Sequence, residues 1–132
     1  MILADTSAWI EYQRGTGSRS DRRIQELIET DSELAFTEPV LMEFVAGAAT
    51  SATAERLRRL LVRTRSLPFD AGADFDIAAE IYRRCRTAGV TPRGFIDCMI
   101  AAVAFRTGAS ILTANTDLVR IAGIMAIPLD VE

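Results

Sequence analysis

The sequence contains no histidine and no lysine; all 15 of its basic residues are arginine. Without histidine there is no Ser-His-Asp relay, no imidazole acid–base pair and no His-containing zinc site. Without lysine there is no Walker-type phosphate loop and no Schiff-base nucleophile. The two cysteines, Cys85 and Cys98, are too few for a disulfide framework or a thiolate zinc site. Cys98 lies in the run FIDCMIAAVAF and reads as a small core residue. No window approaches the roughly 20 apolar residues of a membrane span. The opening MILADTSAWI has neither the basic lead nor the long apolar stretch of a signal peptide. The expectation is a soluble protein of a reducing cytoplasm, with no membrane contact. Its chemistry must come from carboxylates, hydroxyls and guanidinium groups.

What is present is an ordinary globular composition. The 132 residues are 49% hydrophobic and 25% charged, with a net charge of −3. That predicts one domain over residues 1–132, which buries roughly two-thirds of its extended surface. The modest negative charge argues against binding nucleic acid by bulk electrostatics alone.

Hydrophobic patterning predicts strands at Met1–Ala4, Leu34–Thr37, Leu67–Phe69, Ser110–Thr113 and Ile127–Leu129. Between them, helical spacing predicts helices over Ser7–Arg14, Asp21–Thr30, Val40–Ala49, Thr53–Thr64, Phe75–Ala88, Phe95–Phe105 and Asn115–Ala122. Pro39 sits where a first helical residue belongs, and Gly89 and Gly108 read as helix stops. Phe95–Phe105 is apolar nearly all round, the pattern of a helix buried in the domain. Alternating strands and helices imply an α/β fold with a mostly parallel sheet of four to five strands and helices on both faces.

Four carboxylates stand out by their isolation. Asp5 is the only charged side chain in residues 1–10, and Glu43 the only one between Glu38 and Glu55. Asp97 is alone from Gly94 to Phe105, and Asp117 from Thr107 to Val119. Taken singly, Asp5, Asp97 and Asp117 are explained as helix caps or as first-turn anions favoured by the helix dipole. Glu43 is not: it lies inside the apolar helix VLMEFVA with no arginine three or four residues away. A buried, unpaired carboxylate costs several kcal/mol unless something compensates it. Ligand sites of open α/β sheets form at the carboxyl ends of the strands, and all four acids belong near that edge. Carboxylates gathered there repel one another unless a cation lies between them. Oxygen-only donors select a hard ion, Mg²⁺, with Mn²⁺ as substitute.

The ordered motifs MILADTSAWI, EPVLMEFVAG and GFIDCMIAAVAFRTGASILTANTDL span essentially the whole chain. In that order and spacing the chain resembles PIN-domain ribonucleases, and most closely the VapC toxins of type II toxin–antitoxin systems. The resemblance implies a three-layer sandwich with Asp5, Glu43, Asp97 and Asp117 as catalytic, metal-binding residues. Many relatives have Asp where this chain has Asn115, so the fourth acid is shifted to Asp117 or shared. Thr6, Ser7 and Thr113 fall where relatives carry hydroxyls; helix capping competes with a supporting role for Thr6 and Ser7. The activity implied is metal-dependent hydrolysis of RNA, transfer or ribosomal, to 5′-phosphate and 3′-hydroxyl ends, with translation inhibited.

Arginine supplies the contacts to phosphate. Arg14, Arg19, Arg22 and Arg23 follow the first strand and Arg93 precedes Asp97 by four residues, whereas Arg56, Arg59 and Arg63 read as a solvated helix face. The resemblance further implies a cognate VapB-type antitoxin and a homodimer, with the apolar surfaces of Val40–Ala49 and Phe75–Tyr82 as candidate contacts. A housekeeping PIN nuclease and a catalytically silent PIN binding module are the competing readings. A receiver domain wants paired acids after the first strand and a late lysine, which this chain lacks.

Overall fold

Strand and helix signals alternate from the first residues onward, and the computed structural model, which describes residues 1–131, turns that alternation into a parallel sheet. The strands are β1 (Ile2–Ala4), β2 (Leu34–Phe36), β3 (Arg65–Ser66) and β4 (Ser110–Leu112). Their order across the sheet is β3-β2-β1-β4, all parallel, with Leu3 opposite Ala35 on one side and Ile111 on the other. The helices are α1 (Thr6–Arg14), α2 (Arg19–Glu29), α3 (Glu38–Ala46), α4 (Ser51–Val62), α5 (Asp74–Thr87), α6 (Phe95–Thr107) and α7 (Thr116–Met125). Among the described residues none is long and apolar enough to cross a membrane.

The strand order dictates the layers. From β1 the chain steps outward to β2 and β3, then returns across the sheet to β4. Right-handed crossovers therefore put α1–α4 on one face and α5 and α6 on the other. The helix contacts agree: α1 packs on α2 and α3, α3 on α4, while α5, α6 and α7 pack on one another. The central strands are buried on both faces, as a parallel sheet requires, with Leu3, Ala4, Ala35, Ile111 and Leu112 all essentially inaccessible. Trp9 of α1 is fully buried against Tyr12 and Phe44.

Three expectations shift, each for a physical reason. The third strand lies at Arg65–Ser66 rather than Leu67–Phe69, because Pro68 has no N–H for a ladder. The segment Ile127–Leu129 does not form a full strand. Leu129 makes one parallel bridge to Ile111, flanked by Ile111 N–H donating to Pro128 O and Asp130 N–H to Ile111 O; Pro128 again cannot donate. Finally, α6 is not buried throughout. Cys98 and residues 100–104 are buried, but Phe95 and Phe105 at its two ends are exposed. The predicted contact surfaces keep exposed apolar residues in Met42 and Phe75.

An ion pair between a buried acid and a surface arginine locks the second layer. Asp74 at the start of α5 is fully buried and receives both Arg106 Nε (2.7 Å) and Nη2 (2.8 Å), while Arg106 also donates to Pro68 O at 2.9 Å. Burial pushes the Asp74 carboxyl up, but the Arg106 hydrogen bonds outweigh it and hold the group below its ordinary 3.8. Removing only the cation leaves that carboxylate uncompensated. Arg106→Met is expected to lose about 3 kcal/mol in urea unfolding at pH 7, and Asp74→Leu/Arg106→Met less. Because the folded pKa is depressed, the pair's contribution is present above pH 3.8 and disappears as the pH falls through the lower folded value.

Candidate metal centre

Strand β1 ends where the strand order reverses, between β2 and β4, and Asp5 is the next residue. Its backbone N–H continues the ladder to Leu112 O at 3.0 Å, and its side chain caps α1 by accepting from Ala8 N at 3.0 Å. The capping role is therefore real. The same carboxylate also accepts from Ser7 Oγ (2.7 Å) and, on its other oxygen, from Thr113 Oγ1 (2.7 Å), which follows β4. Ala114 N donates to Ser7 Oγ at 2.9 Å, and Asn115 N to Thr113 Oγ1 at 2.9 Å. Two strand ends are thus tied together through hydroxyls and one carboxylate. Neither Thr6 nor Ser7 is the cap; both hydrogen-bond acids.

The other acids arrive on helices. Glu43 of α3 is half-buried and takes a 2.7 Å hydrogen bond from Thr6 Oγ1, the local compensation that no arginine supplies. Asp97 lies in the first turn of α6, behind Gly94 at the N-cap, which offers no side-chain cap. Asn115 caps α7 by accepting from Asp117 N at 2.8 Å. Its Oδ1 is thereby committed, so its amide Nδ2 is the atom that donates to Asp97 Oδ2 at 3.3 Å. Asp117, in the first turn of α7, is buried and pairs with Arg93 Nε at 3.0 Å and Arg120 Nη1 at 3.5 Å.

These segments enclose an open cleft of about 400 Å³ lined by Glu43, Arg93, Gly94, Phe95, Ile96, Asp97, Asn115 and Asp117. Asp5 is only 2% exposed and is felt there through its charge. Burial pushes the Asp97 carboxyl up to about 6, and the neighbouring charges of Asp5, Glu43 and Asp117 push in the same direction, against the Asn115 hydrogen bond. Burial likewise raises Asp5; hydrogen bonds from Thr113, Ala8 and Ser7 oppose it, and Glu43 adds to the rise. Four acids remote in sequence thus share one electrostatic environment.

They are not a closed ligand cage. Among the described residues no group of three or more His, Cys, Asp or Glu side chains stands placed to hold an ion as it is. Each acid instead has its own partners: Ser7 and Thr113 on Asp5, Thr6 on Glu43, Asn115 on Asp97 and Arg93 on Asp117. The donor set nonetheless suits a hard divalent ion, since every candidate ligand is oxygen. Burial lifts the thiol of Cys98, the residue after Asp97, to about 11, which keeps it a neutral core group.

The arginines divide. Arg93 is in the cleft with its side chain 87% exposed. Arg22 is exposed and lines a separate 360 Å³ hollow with Arg19, Arg23, Glu26 and Val131. Arg23 grips Asp130 with Nε (2.9 Å) and Nη2 (3.1 Å), and Arg19 joins at 3.2 Å. Arg14 is exposed at the end of α1, about 13 Å along the helix from Asp5. Two residues beside the acids fall outside the expected set: Phe95, which lines the cleft, and Arg120, which pairs with Asp117. Arg120 is detectable as the third residue after Asp117, on the same helical face. Phe95 is hidden by its membership of an apolar run.

Comparison with known proteins is consistent across the chain. The PIN domain family matches residues 2–124. VapC ribonuclease Mb1587 of Mycobacterium bovis is 45% identical over 118 residues, 89% of this chain and 88% of that protein. Ribonuclease VapC11 of Mycobacterium tuberculosis matches to the same extent. The fold superposes on DNA-bound VapBC from Salmonella typhimurium with a TM-score of 0.73 at 25% identity, covering 98% of this chain and 96% of that one. FitAcB from Neisseria gonorrhoeae gives 0.71 at 21% identity, with the same coverage.

The crowded charge has a measurable consequence. With its folded pKa raised, Asp97 destabilises the metal-free protein at pH 7, and the effect fades as the pH falls through 6 toward 3.8. In EDTA, Asp97→Asn is expected to raise the melting temperature by roughly 3 °C at pH 7 and to give no gain near pH 4. Thermal scans across that range check both the sign and the window.

Proposed function

The chain belongs to the PIN-domain family, within its VapC ribonucleases, and on that premise we propose that it is a Mg²⁺-dependent endoribonuclease and the toxin of a type II toxin–antitoxin pair. It acts in the cytoplasm, with residues 1–132 forming one domain, cleaving transfer or ribosomal RNA and so inhibiting translation. The observation that carries this reading is the gathering of Asp5, Glu43, Asp97 and Asp117 at one sheet edge, where burial first, and then the charges of the other three, lift Asp97 to about 6.

In this mechanism Asp5, Glu43, Asp97 and Asp117 would hold the ion. When bound, Mg²⁺ (or Mn²⁺) supplies Lewis acidity toward the phosphoryl group and makes water a better nucleophile. The chain's own residues do the positioning. Ser7 and Thr113 each fix one oxygen of Asp5, and Thr6 fixes Oε1 of Glu43, leaving Oε2 as the acceptor that orients a water proton. Asn115 steadies Asp97. Arg93, with Arg14 and Arg22 outside the cleft, draws in the phosphate backbone, whereas Arg23, expected from the sequence to join them, is committed to Asp130 and Glu26. Attack by water with the 3′-oxygen as leaving group gives a 5′-phosphate and a 3′-hydroxyl. Attack by the 2′-hydroxyl normally needs a general base and acid such as paired histidines, which the chain lacks.

A cognate VapB-type antitoxin and a homodimer complete the proposal. The Arg93–Asp117 pair shows how a guanidinium can occupy a carboxylate of this cleft, and an antitoxin arginine placed there would compete with the ion.

Titration with Mn²⁺ is expected to raise the melting temperature by mass action, and Asp5→Asn to abolish the gain. Thr113→Val is expected to raise the half-saturating Mn²⁺ concentration roughly 10-fold. EDTA-resistant cleavage, or cyclic-phosphate ends in sequenced products, would refute the mechanism. Replacing Arg22 or Arg93 with Gln is expected to weaken RNA binding and reduce its salt slope by about 1.

A further inference from the structure

The wall of the acidic cleft carries an aromatic ring that the hydrolytic chemistry does not use. Phe95 opens α6, lines the cleft beside Arg93, Asp97 and Asp117, and is 63% exposed. The ring is backed rather than loose. Its centroid lies 5.0 Å from that of Tyr82, with the planes inclined by 41°, and Tyr82 in turn packs against the hydrophobic core. Gly94 beside it adds no bulk, and nothing lies within 4 Å of the point a Cβ would occupy there. Phe105 is comparably exposed, but sits at the other end of α6, about 15 Å away. Position, not exposure alone, singles out Phe95.

A nucleotide presents a phosphate, its counter-ion and a flat apolar base. The cleft presents a guanidinium, a group of carboxylates and a phenyl ring. We propose that Phe95 is a base-stacking, specificity-determining residue: the nucleobase beside the scissile phosphate lies on its exposed face while Arg93 meets the phosphate. This rests on the ribonuclease reading and deepens it. A base paired within a duplex has no free face to offer, so the preferred RNA is unpaired at the cleavage point. Because the contact is uncharged, Phe95 strengthens binding without adding to its salt dependence, unlike Arg93.

The test uses the full chain and a short single-stranded phosphorothioate RNA carrying one 2-aminopurine, moved along the strand position by position. One position is expected to change fluorescence on binding. Phe95→Ala should abolish that change and weaken binding roughly 5- to 100-fold, Phe95→Trp should keep both, and neither should alter the salt slope. An abasic site at that position should weaken the unmutated protein by a similar factor and leave Phe95→Ala unaffected. Retention of the Mn²⁺ thermal gain certifies that each variant is folded. Equal loss from the abasic site in both proteins overturns the proposal, as does RNA binding by Phe95→Ala at full strength. So does a change in sedimenting mass with the fluorescence response intact, which assigns the ring to a contact between two copies. Failure of the ribonuclease reading shows separately, as an unmutated protein with no Mn²⁺ thermal gain.

Discussion

Gathering Asp5, Glu43, Asp97 and Asp117 at one sheet edge, where burial and like charge both oppose the ionisation of Asp5 and Asp97, is the constraint around which the site is arranged. Each acid is rendered tolerable by a different neutral or cationic neighbour: Ser7 and Thr113 for Asp5, Thr6 for Glu43, Asn115 for Asp97, Arg93 and Arg120 for Asp117. Those partners sit where they do because parallel strands end together and the helices that follow them begin there. The parallel topology is thus a device for bringing residues from both ends of the chain within hydrogen-bonding distance.

The groups that tolerate the charge also hold the fold. Thr113 accepts from Asn115 N, donates to Asp5 and lies 3.3 Å from Ser7 Oγ, which itself receives Ala114 N. These bonds fasten the loop after β4 to the start of α1. Stability and site geometry therefore draw on the same hydrogen bonds. The Asp74–Arg106 pair is different: it fastens α5 to α6 well away from the cleft, and does so with its charges fully matched.

Much of this is written locally in the sequence. Solitary acids beside strand ends, Pro39 in the first turn of α3 and Gly108 in the left-handed region at φ 75° after α6 each mark their place without tertiary information. What is not legible depends on encounters between distant segments. The Asp74–Arg106 and Arg23–Asp130 pairs join residues 32 and 107 positions apart, and no spacing rule connects them. The exposure of Phe95 is set by where α6 begins relative to α5. The shift of β3 follows from Pro68 overriding the apolar pattern around it.

The sheet's two borders have a further meaning. Beyond β4, the main chain of Ile111 is already engaged by Pro128 and Asp130, and Asp130 is clamped by Arg19 and Arg23. The opposite border is β3, two exposed residues long and carrying a charged Arg65. Neither side offers a length of unsatisfied backbone on which a foreign strand could template, so fibril-like self-association through the sheet is blocked at both ends. Any protein that recognises this domain must read its helices and side chains, not lengthen its sheet.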